Sequence, residues 1–300
     1  MIEGLRSQSA MEYLMTYGWA ILIIAIILVA LFSLNLFNSY TFAPKAPPGA
    51  CQVLRPSGPG SNVFVTMEGG SNCNGVIPEY VGVFNNSISV TLNQLHYTHE
   101  INSSGTSGVT IVAWSSSQNN LDSYTMVELG SPDPSLQLGD DVHCGFGSTG
   151  GLIIVYYSSP SYSDNCMHEV AQNSMEFYAF TFNGVVGRGY QSYDGKLYNA
   201  SFTASMGSNS IVSDPLITMG GSGGGPFYMS NVQIYNTSLS NSSIQALYQE
   251  GIGGAPIDLQ NLVGWWPLDG NANDYSGNGN NGAATNVKYV SNWESGYSAP

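Results

Sequence analysis

The distribution of apolar residues divides the chain into a continuous N-terminal apolar stretch and a long region of short β-type runs. Between Tyr13 and Pro44 there is no Asp, Glu, Lys or Arg, and the sequence is mostly apolar past Leu34. A helix that spans a bilayer needs about 20 apolar residues. The apolar core of a secretory signal has only about 7–15, followed by a small-residue cleavage site that we do not find here. The pattern therefore predicts one long hydrophobic helix that is kept in the mature protein.

After a Pro- and Gly-containing linker, short runs rich in β-branched and aromatic residues alternate with clusters of Gly, Ser and Asn. Regular short strands separated by turn signals are typical of a β-sandwich or barrel. The run 175–182 has Glu176 as its only charge and is otherwise mostly apolar, which predicts a central strand with both faces covered. The predicted strands are 80–84, 87–92, 109–114, 125–129, 152–157, 175–182, 196–203 and 227–235.

One further helix is predicted near the end of this region. Ser240 or Asn241 provides the N-cap, an apolar stripe runs from Ile244 to Tyr248, and Gly251 ends the helix.

The chain is acidic and poor in charge. It contains 6 Lys and Arg against 20 Asp and Glu, a net charge of −14, and charged residues make up 9% of the sequence. This balance argues against nucleic-acid or anionic-lipid partners, which require basic patches. A surface of Asn, Ser, Thr and Gly suits an exported protein, in which N-x-S/T sequons on loops are glycan acceptors. The five sequons begin at Asn85, Asn102, Asn199, Asn236 and Asn241, although a chain rich in Asn and Ser also produces sequons by chance.

Four cysteines, Cys51, Cys73, Cys144 and Cys166, allow three disulfide pairings. We favour Cys51–Cys73 and Cys144–Cys166, because these sequential pairs close loops of similar length and an extracytoplasmic location permits oxidation. Each would contribute about 3 kcal/mol in the chain-entropy model. A metal site formed by the last two cysteines with neighbouring histidines is the weaker alternative, since it lacks the tight C-x-x-C spacing of structural zinc sites.

The segment Gln8–Leu22 (QSAMEYLMTYGWAIL) resembles the class III signal peptide of archaeal type IV pilin-like proteins. The resemblance implies that a prepilin-type peptidase removes the short polar leader between Ser7 and Gln8, and that the kept helix forms the core of a filament. Ser7 stands where that family commonly has Gly. Glu12 would then pair with the new α-amino group of Gln8, either in its own chain or in a neighbouring subunit. Pairing with a neighbouring subunit is the favoured interpretation, because that pair would set the axial register of the filament. The alternative is that Glu12 is exposed to lipid headgroups.

The charges beside the helix predict its orientation. Arg6 precedes the helix and no basic residue follows it until Lys45, so the positive-inside rule places the N-terminus in the cytoplasm. The remainder of the chain after Tyr40 would lie outside the cell.

The exported region carries a second resemblance, to laminin-G-like, concanavalin A-type jelly rolls. It covers roughly residues 76–252 and rests on the order and spacing of segments 109–114, 177–184 and 227–236 with the short helix that follows. The segment 262–282 (LVGWWPLDGNANDYSGNGNNG) resembles the usual opening of the same family, here placed at the end. We expect a permuted sandwich in which 263–268 pairs within the chain. A truncated second copy and strand donation to a neighbouring subunit are the alternatives.

The expected fold class is therefore mainly β, a jelly-roll sandwich preceded by one long hydrophobic helix. The expected organisation is a leader (1–7), a pilin-type helix (8–40), a linker with a small β segment (41–75), a laminin-G-like jelly roll (76–252) and a C-terminal segment (253–300) that completes the sandwich.

The run Asp269-x-Asn271-x-Asn273-Asp274 offers several oxygen ligands within six residues, which suits a structural Ca²⁺ ion. It is not an EF-hand, because Asp274 occupies the position of the turn Gly. The alternative is an Asn- and Gly-rich turn held by side-chain-to-backbone hydrogen bonds.

No catalytic constellation is evident in the sequence. Glycosidases on sandwiches of this type place two carboxylates on one strand face, but Asp140 and Asp141 are adjacent and would face opposite ways. We therefore expect no enzyme activity. Aromatic side chains that stack on sugars are candidates for glycan binding, namely Trp265, Trp266 and Tyr190, with at least one of the two tryptophans outward because successive strand residues alternate.

Together these features indicate a structural subunit of an archaeal pilus-like surface filament with an extracellular, lectin-like and adhesive head. Its expected partners are copies of itself, other pilin-like subunits, the peptidase, the membrane, and glycans or cell surfaces. The alternative is a membrane-anchored carbohydrate-binding adhesin that does not polymerise, with a surface glycoside hydrolase as the least supported option.

Overall fold

The computed structural model describes two compact units, Met1–Ala43 and Pro44–Pro300. The residues it describes are 15, 17–29, 52–54, 66–68, 77–85, 88–92, 95–96, 98–101, 108–117, 124–130, 135–141, 151–158, 161–169, 173–203, 210–221 and 226–300.

In the first unit, residues 17–29 form helix α1. Its large apolar side chains are exposed in every direction; Trp19 is 64% exposed and Ile24 58%. Within the described residues, no helix has both the length and the hydropathy to span a bilayer. Ser7 of the predicted leader and the remainder of the predicted helix, including Gln8 and Glu12, lie outside the described residues, so the expected span over 8–40 stays a prediction.

In the second unit, strands are the main regular element of the described residues, which confirms the mainly-β class. The strands are β1 (Gln52–Leu54), β2 (Thr66–Glu68), β3 (Val81–Phe84), β4 (Ser89–Leu92), β5 (Val109–Ser117), β6 (Tyr124–Leu129), β7 (Ser135–Asp141), β8 (Gly151–Ser158), β9 (Ser161–Glu169), β10 (Glu176–Phe182), β11 (Val186–Tyr193), β12 (Lys196–Thr203), β13 (Ile217–Gly220), β14 (Phe227–Tyr235), β15 (Leu262–Trp266), β16 (Ala283–Thr285) and β17 (Lys288–Val290). Helix α2 (Asn241–Gln249) follows β14, and a 3-10 turn covers Glu294–Gly296.

Two large antiparallel sheets form the sandwich. The first sheet has the order β12-β11-β10-β5-β14-β3-β17, with β15 also beside β14. The second sheet has the order β16-β4-β13-β6-β7-β8-β9. The short strands β1 and β2 pair separately, with Gln52 opposite Glu68.

Strand β10 shows why the first sheet is covered on both faces. Tyr178, Phe180 and Phe182 belong to the hydrophobic core that residues of both sheets share, whereas Phe177 and Ala179 pack in a second cluster with α2. Every residue of β10 is buried, and it lies between β5 and β11. The prediction of a central strand here is confirmed.

Helix α2 begins and ends as its sequence predicts. The Ser240 hydroxyl accepts a hydrogen bond from the Ser243 amide at 3.2 Å, which satisfies one of the free donors of the first turn. Ile244, Leu247 and Tyr248 form the buried stripe. This stripe covers the outer face of the first sheet.

The C-terminal segment contributes strands to both sheets of its own chain. Trp266 of β15 lies opposite Val232 of β14, β16 pairs with β4 in the second sheet, and β17 pairs with β3. Strands β3 and β15 occupy successive halves of the same edge of β14, since β3 pairs with residues 227–229 and β15 with 232–235. The domain boundaries given above stay predictions.

Candidate functional site

A pocket of about 400 Å³ opens where β10 begins and the β11–β12 hairpin turns. Its size lies within the range of about 300–1,000 Å³ that is usual for small-molecule sites. The lining residues come from five parts of the sandwich and are Trp114, Ser174, Met175, Glu176, Ser192, Tyr193, Asp194, Gly195, Tyr248 and Ser298.

The rim of the pocket is a tight hairpin turn. Asp194 and Gly195 both have positive φ angles, 51° and 69°, and Tyr193 pairs with Lys196 on either side of them. Two central residues with positive φ define the type I′ turn that suits the twist of a β-hairpin, and Asp-Gly is one of its preferred sequences. The turn holds the Asp194 carboxylate exposed at the rim.

Glu176 is one of the lining residues and is buried, with 4% of its surface exposed, and its side chain lies on the same face of β10 as Tyr178. Its Oε2 accepts a hydrogen bond from the Tyr178 hydroxyl at 3.0 Å and a longer one from Gln191 Nε2 at 3.4 Å. Tyr178 and Gln191 are cross-strand partners in β10 and β11. A buried carboxylate is costly unless hydrogen-bonded, and these two donors provide that compensation.

An aromatic cluster lies on the face of the first sheet that α2 covers. The rings of Trp114 and Tyr248 are stacked, with centroids 6.2 Å apart and an interplanar angle of 19°, and Tyr297 meets Trp114 edge-on at 5.5 Å. Burial, the neighbouring Tyr297 and the Glu176 charge raise the pKa of Tyr248.

The C-terminal tail closes the pocket. The Met175 amide donates to the Gly296 carbonyl at 2.7 Å, and the Ile252 amide donates to the Tyr297 hydroxyl at 3.2 Å. These bonds hold Ser298 at the wall of the pocket.

The three residues predicted to stack on glycans are buried, so the expectation that at least one of the two tryptophans points outward is wrong, and no ring face of the three is presented to a ligand. Trp265 is 2% exposed, Trp266 0% and Tyr190 2%. The two tryptophans do face opposite ways, since Trp266 lies in the core between the sheets and Trp265 in the cluster under α2. Both faces of β15 are covered, so alternation exposes neither ring. The indole Nε1 of Trp265 donates to the Asn231 side chain at 2.8 Å.

The predicted calcium ligands form a turn held by hydrogen bonds. Asp269 Oδ1 accepts from the Tyr80 amide at 2.7 Å, and Asn271 Oδ1 accepts from the Asn273 amide at 2.8 Å. Among the residues the structure describes, no cluster of three or more His, Cys, Asp or Glu side chains is placed to hold a metal ion.

Asp274 has both oxygens engaged by donors. Oδ1 accepts from the amides of Trp265 at 3.0 Å and Ser276 at 2.8 Å. Oδ2 accepts from the Ser276 hydroxyl at 2.8 Å and the Asn280 amide at 2.9 Å. Because these four hydrogen bonds occupy both oxygens, Asp274 does not fit the role of a calcium ligand. The geometry fits the alternative of a turn held by side-chain-to-backbone hydrogen bonds.

The predicted sequons differ in accessibility. Asn199 is exposed on β12, an edge strand of the first sheet, and Asn241 is exposed in the first turn of α2. Asn85 and Asn236 are half-buried, and Asn102 lies outside the described residues. Asn199 is the best-presented acceptor among those described.

The predicted disulfides fall on residues that the structure does not describe. Cys51, Cys73 and Cys144 lie outside the described residues. Cys166 belongs to β9 opposite Ile153 of β8, but its side chain is not described. Both disulfides stay predictions.

The pocket was not predicted from the sequence. In the sequence, Glu176 stands out only as the single charge in a central strand, and Asp194-Gly195 indicates a hairpin turn but no binding site. The pocket forms from residues as far apart as Trp114 and Ser298, which no local pattern connects.

No protein-family model matches the chain, and no curated protein sequence matches it. Among solved structures, the SAP-like pentraxin of Limulus polyphemus is similar, with 14% identity over 73% of this chain and 99% of that chain and a TM-score of 0.47. Tailspike protein 2 of an Escherichia coli O157:H7 bacteriophage is also similar, with 12% identity, 77% of this chain, 31% of that chain and a TM-score of 0.46. The binding domain of botulinum neurotoxin serotype C1 has 14% identity, 66% of this chain, 50% of that chain and a TM-score of 0.36. At these values no function is transferred to this chain.

Proposed function

We propose that this chain is a structural subunit of an archaeal pilus-like surface filament, with a concanavalin A-type sandwich as its extracellular head. The observation that carries the proposal is helix α1, whose large apolar side chains are exposed on all sides of its unit. These residues are Met15, Tyr17, Trp19, Ile21, Leu22, Ile23, Ile24, Ile26, Ile27, Leu28 and Val29.

Such a surface requires a cover, because a helix that is apolar all round is found in a core or in a membrane. Burying one large apolar side chain contributes about 1.5–3 kcal/mol. Lipid provides the cover before assembly, and the same helix of neighbouring subunits provides it in the filament. The N-terminus would be cytoplasmic and the head extracellular.

The residues before α1 provide the two charged groups that would pair between subunits. Cleavage between Ser7 and Gln8 by a prepilin-type peptidase creates an α-ammonium group, and Glu12 of an adjacent subunit pairs with it. In a low-dielectric bundle an unpaired charge is strongly unfavourable, so the pair would fix one axial register between subunits.

The test is a Glu12→Ala exchange in the native host, with Glu3→Ala as the control because Glu3 lies in the removed leader. We expect Glu12→Ala to leave the protein in the membrane fraction and to reduce its recovery in sheared filaments at least tenfold. Glu3→Ala should assemble normally. Equal recovery of Glu12→Ala and wild type in sheared filaments would refute the assembly role.

The second candidate is a membrane-anchored adhesin that binds ligands and does not polymerise. The pocket at the start of β10 favours it, since its volume of about 400 Å³ suits a small ligand and the exposed Asp194 lies among its lining residues. Binding, without catalysis, is the proposed role of the head in both candidates. Release of the chain by shear as filaments separates the two.

A further inference from the structure

We propose that Asn183 is a site of spontaneous deamidation, in which the backbone amide of Gly184 converts the Asn183 side chain to aspartate or isoaspartate. The site is the turn that joins β10 to β11. The proposal concerns the head alone, and it holds whether or not the chain assembles into a filament.

The reaction requires a side-chain amide, an accessible backbone nitrogen directly after it, and water. The Gly184 nitrogen attacks Cγ of Asn183, the bond from Cγ to Nδ2 breaks, and the proton of the attacking nitrogen leaves with the ammonia. The product is a cyclic imide, a succinimide, which water opens at either carbonyl to give aspartate or isoaspartate. Glycine is the least obstructive residue after the asparagine because it has no Cβ.

The turn leaves the attacking nitrogen available. Strand β10 ends at Phe182 and β11 begins at Val186, so the connection is short and Gly184 adopts a positive φ of 89°. The Asn183 amide donates to the Val186 carbonyl at 3.2 Å, which closes the turn. Among the residues that the structure describes, the Gly184 amide donates to no acceptor. Attack by this nitrogen therefore breaks no hydrogen bond in the described part of the chain.

The carboxamide is held by two donors that favour the attack. Oδ1 of Asn183 accepts from the Val185 amide at 3.0 Å and from the Val186 amide at 2.8 Å. These bonds fold the side chain back over its own turn, in a closed ring of atoms that includes the Gly184 nitrogen. When the nitrogen adds to Cγ, negative charge develops on Oδ1. Two backbone amides aimed at that oxygen stabilise the charge in the same way as an oxyanion hole.

The turn is also open to water. Asn183 is half-buried, and Val185 and Val186 beside it are 38% and 42% exposed. Water can therefore accept the proton and hydrolyse the succinimide. Isoaspartate would insert an extra backbone atom into the turn, and either product adds a negative charge at this end of the first sheet.

A second Asn-Gly pair, Asn278-Gly279, lacks these features. Asn278 is 4% exposed. Its Nδ2 donates to the Leu262 carbonyl at 2.8 Å and to the Val263 carbonyl at 2.9 Å. Loss of ammonia there would break two buried hydrogen bonds, so we expect Asn278 to be protected.

A third pair, Asn281-Gly282, is exposed but has its nitrogen engaged. The Gly282 amide donates to the Ala272 carbonyl at 2.9 Å, and Oδ1 of Asn281 accepts from the Asp274 amide at 2.9 Å. The attacking nitrogen would have to give up its acceptor first. Exposure alone therefore does not select the site, and the state of the glycine nitrogen separates Asn183 from Asn281.

The experiment incubates the full-length chain in detergent micelles, well below the melting temperature of the head, and maps its peptides by mass spectrometry over time. Conversion is measured at each pair from the mass gain, and isoaspartate from enzymatic methylation. One hydrogen bond gained by the developing charge, or one lost at the nitrogen, changes the rate by about tenfold. We therefore expect Asn183 to convert at least that much faster than Asn278 and Asn281, with isoaspartate among its products. The rate should rise from about pH 6 to about pH 9, because the attacking amide loses a proton.

Two variants test the role of the donors. Val185→Pro removes one of the two amides that bind Oδ1, because proline has no N–H. Val185→Ala is the matched control, since it also shortens the side chain but retains the amide. We expect Val185→Pro to deamidate at Asn183 about three- to tenfold more slowly than Val185→Ala. Circular dichroism melts of both variants establish that the head is folded.

Three results would each overturn the proposal. One is conversion at Asn278 or Asn281 as fast as at Asn183 in the wild-type chain. Another is the absence of isoaspartate at Asn183, since direct hydrolysis of the side chain gives aspartate alone. The third is an equal rate in folded Val185→Pro and Val185→Ala. The first two results need no variant, so the test does not depend on whether Val185→Pro folds. Failure of filament assembly would leave these rates unaffected, so the two proposals fail separately.

Discussion

Replacing Asp274 by Ala should destabilise the sandwich severely, because this side chain joins the C-terminal turn to β15. Its carboxyl group is 2% exposed and accepts from the amides of Trp265, Ser276 and Asn280. The Ser276 hydroxyl has the Val263 carbonyl as another acceptor at 3.2 Å, so three buried amides lose their partner. Each unsatisfied buried donor costs about 1–3 kcal/mol, and water that enters the vacated space lowers the sum. We predict a loss of about 3–6 kcal/mol, against a total stability of about 5–15 kcal/mol for a typical domain.

The assay is urea unfolding of the full-length chain in detergent, followed by tryptophan fluorescence. Asp194→Asn is the control. It removes the same charge from an exposed position with φ of 51°, which Asn tolerates well, and should change stability by less than about 0.5 kcal/mol. Asp274→Asn retains one acceptor oxygen and should fall between the two. A loss of less than 1 kcal/mol in Asp274→Ala would refute the view that this turn is part of the folded core.

Three further predictions concern the fold, its pH dependence and its surface. Deleting residues 258–300 removes β15, β16 and β17 from both sheets, so the melting temperature of the head should fall by at least 10 °C or folding should fail; an unchanged melting temperature would contradict the pairing. Burial raises the pKa of Tyr289 to about 12, whereas a tyrosine in the unfolded chain ionises near 10. The folded state then binds more protons between these values, so stability should decrease as the pH rises from about 10 to 12; equal urea midpoints at pH 8 and pH 11 would contradict this. Asn199→Gln should increase the electrophoretic mobility of the native protein by removing one glycan, and unchanged mobility would show that this sequon is unmodified.

The sequence predicted much of the sandwich because its central strands are mostly apolar or aromatic on both faces. The run 109–114 corresponds to β5, 175–182 to β10 and 227–235 to β14, and all three are buried on both faces. Strands with weaker patterns were missed. β11 reads VGRGYQSY, with two glycines and an arginine, and it becomes a strand through cross-strand pairing with β10 and β12.

The alternation of successive strand residues predicted which way the side chains point but not how exposed they are. Trp265 and Trp266 point to opposite faces as expected, but α2 and the C-terminal segment cover the outer face of the first sheet. That cover comes from residues distant in sequence, and a local pattern does not reveal it. The same reason explains why the pocket at Glu176 was missed, because its walls come from β5, β10, the β11–β12 turn, α2 and the tail.

Aspartate and asparagine residues at the C-terminal turn show a further ambiguity of sequence patterns. Closely spaced oxygen side chains suit either a cation or a set of backbone amides. The structure distinguishes them by the donors around Asp274, which occupy both of its oxygens.

The most direct test of the central proposal is mass spectrometry of the N-terminal peptide of the protein sheared from the native cell surface. Pilin-type processing predicts a mature N-terminus at Gln8, with the leader ending at Ser7 absent. Recovery of an intact Met1 from the surface would contradict processing and assembly, and the anchored adhesin would replace the filament subunit as the function of this chain.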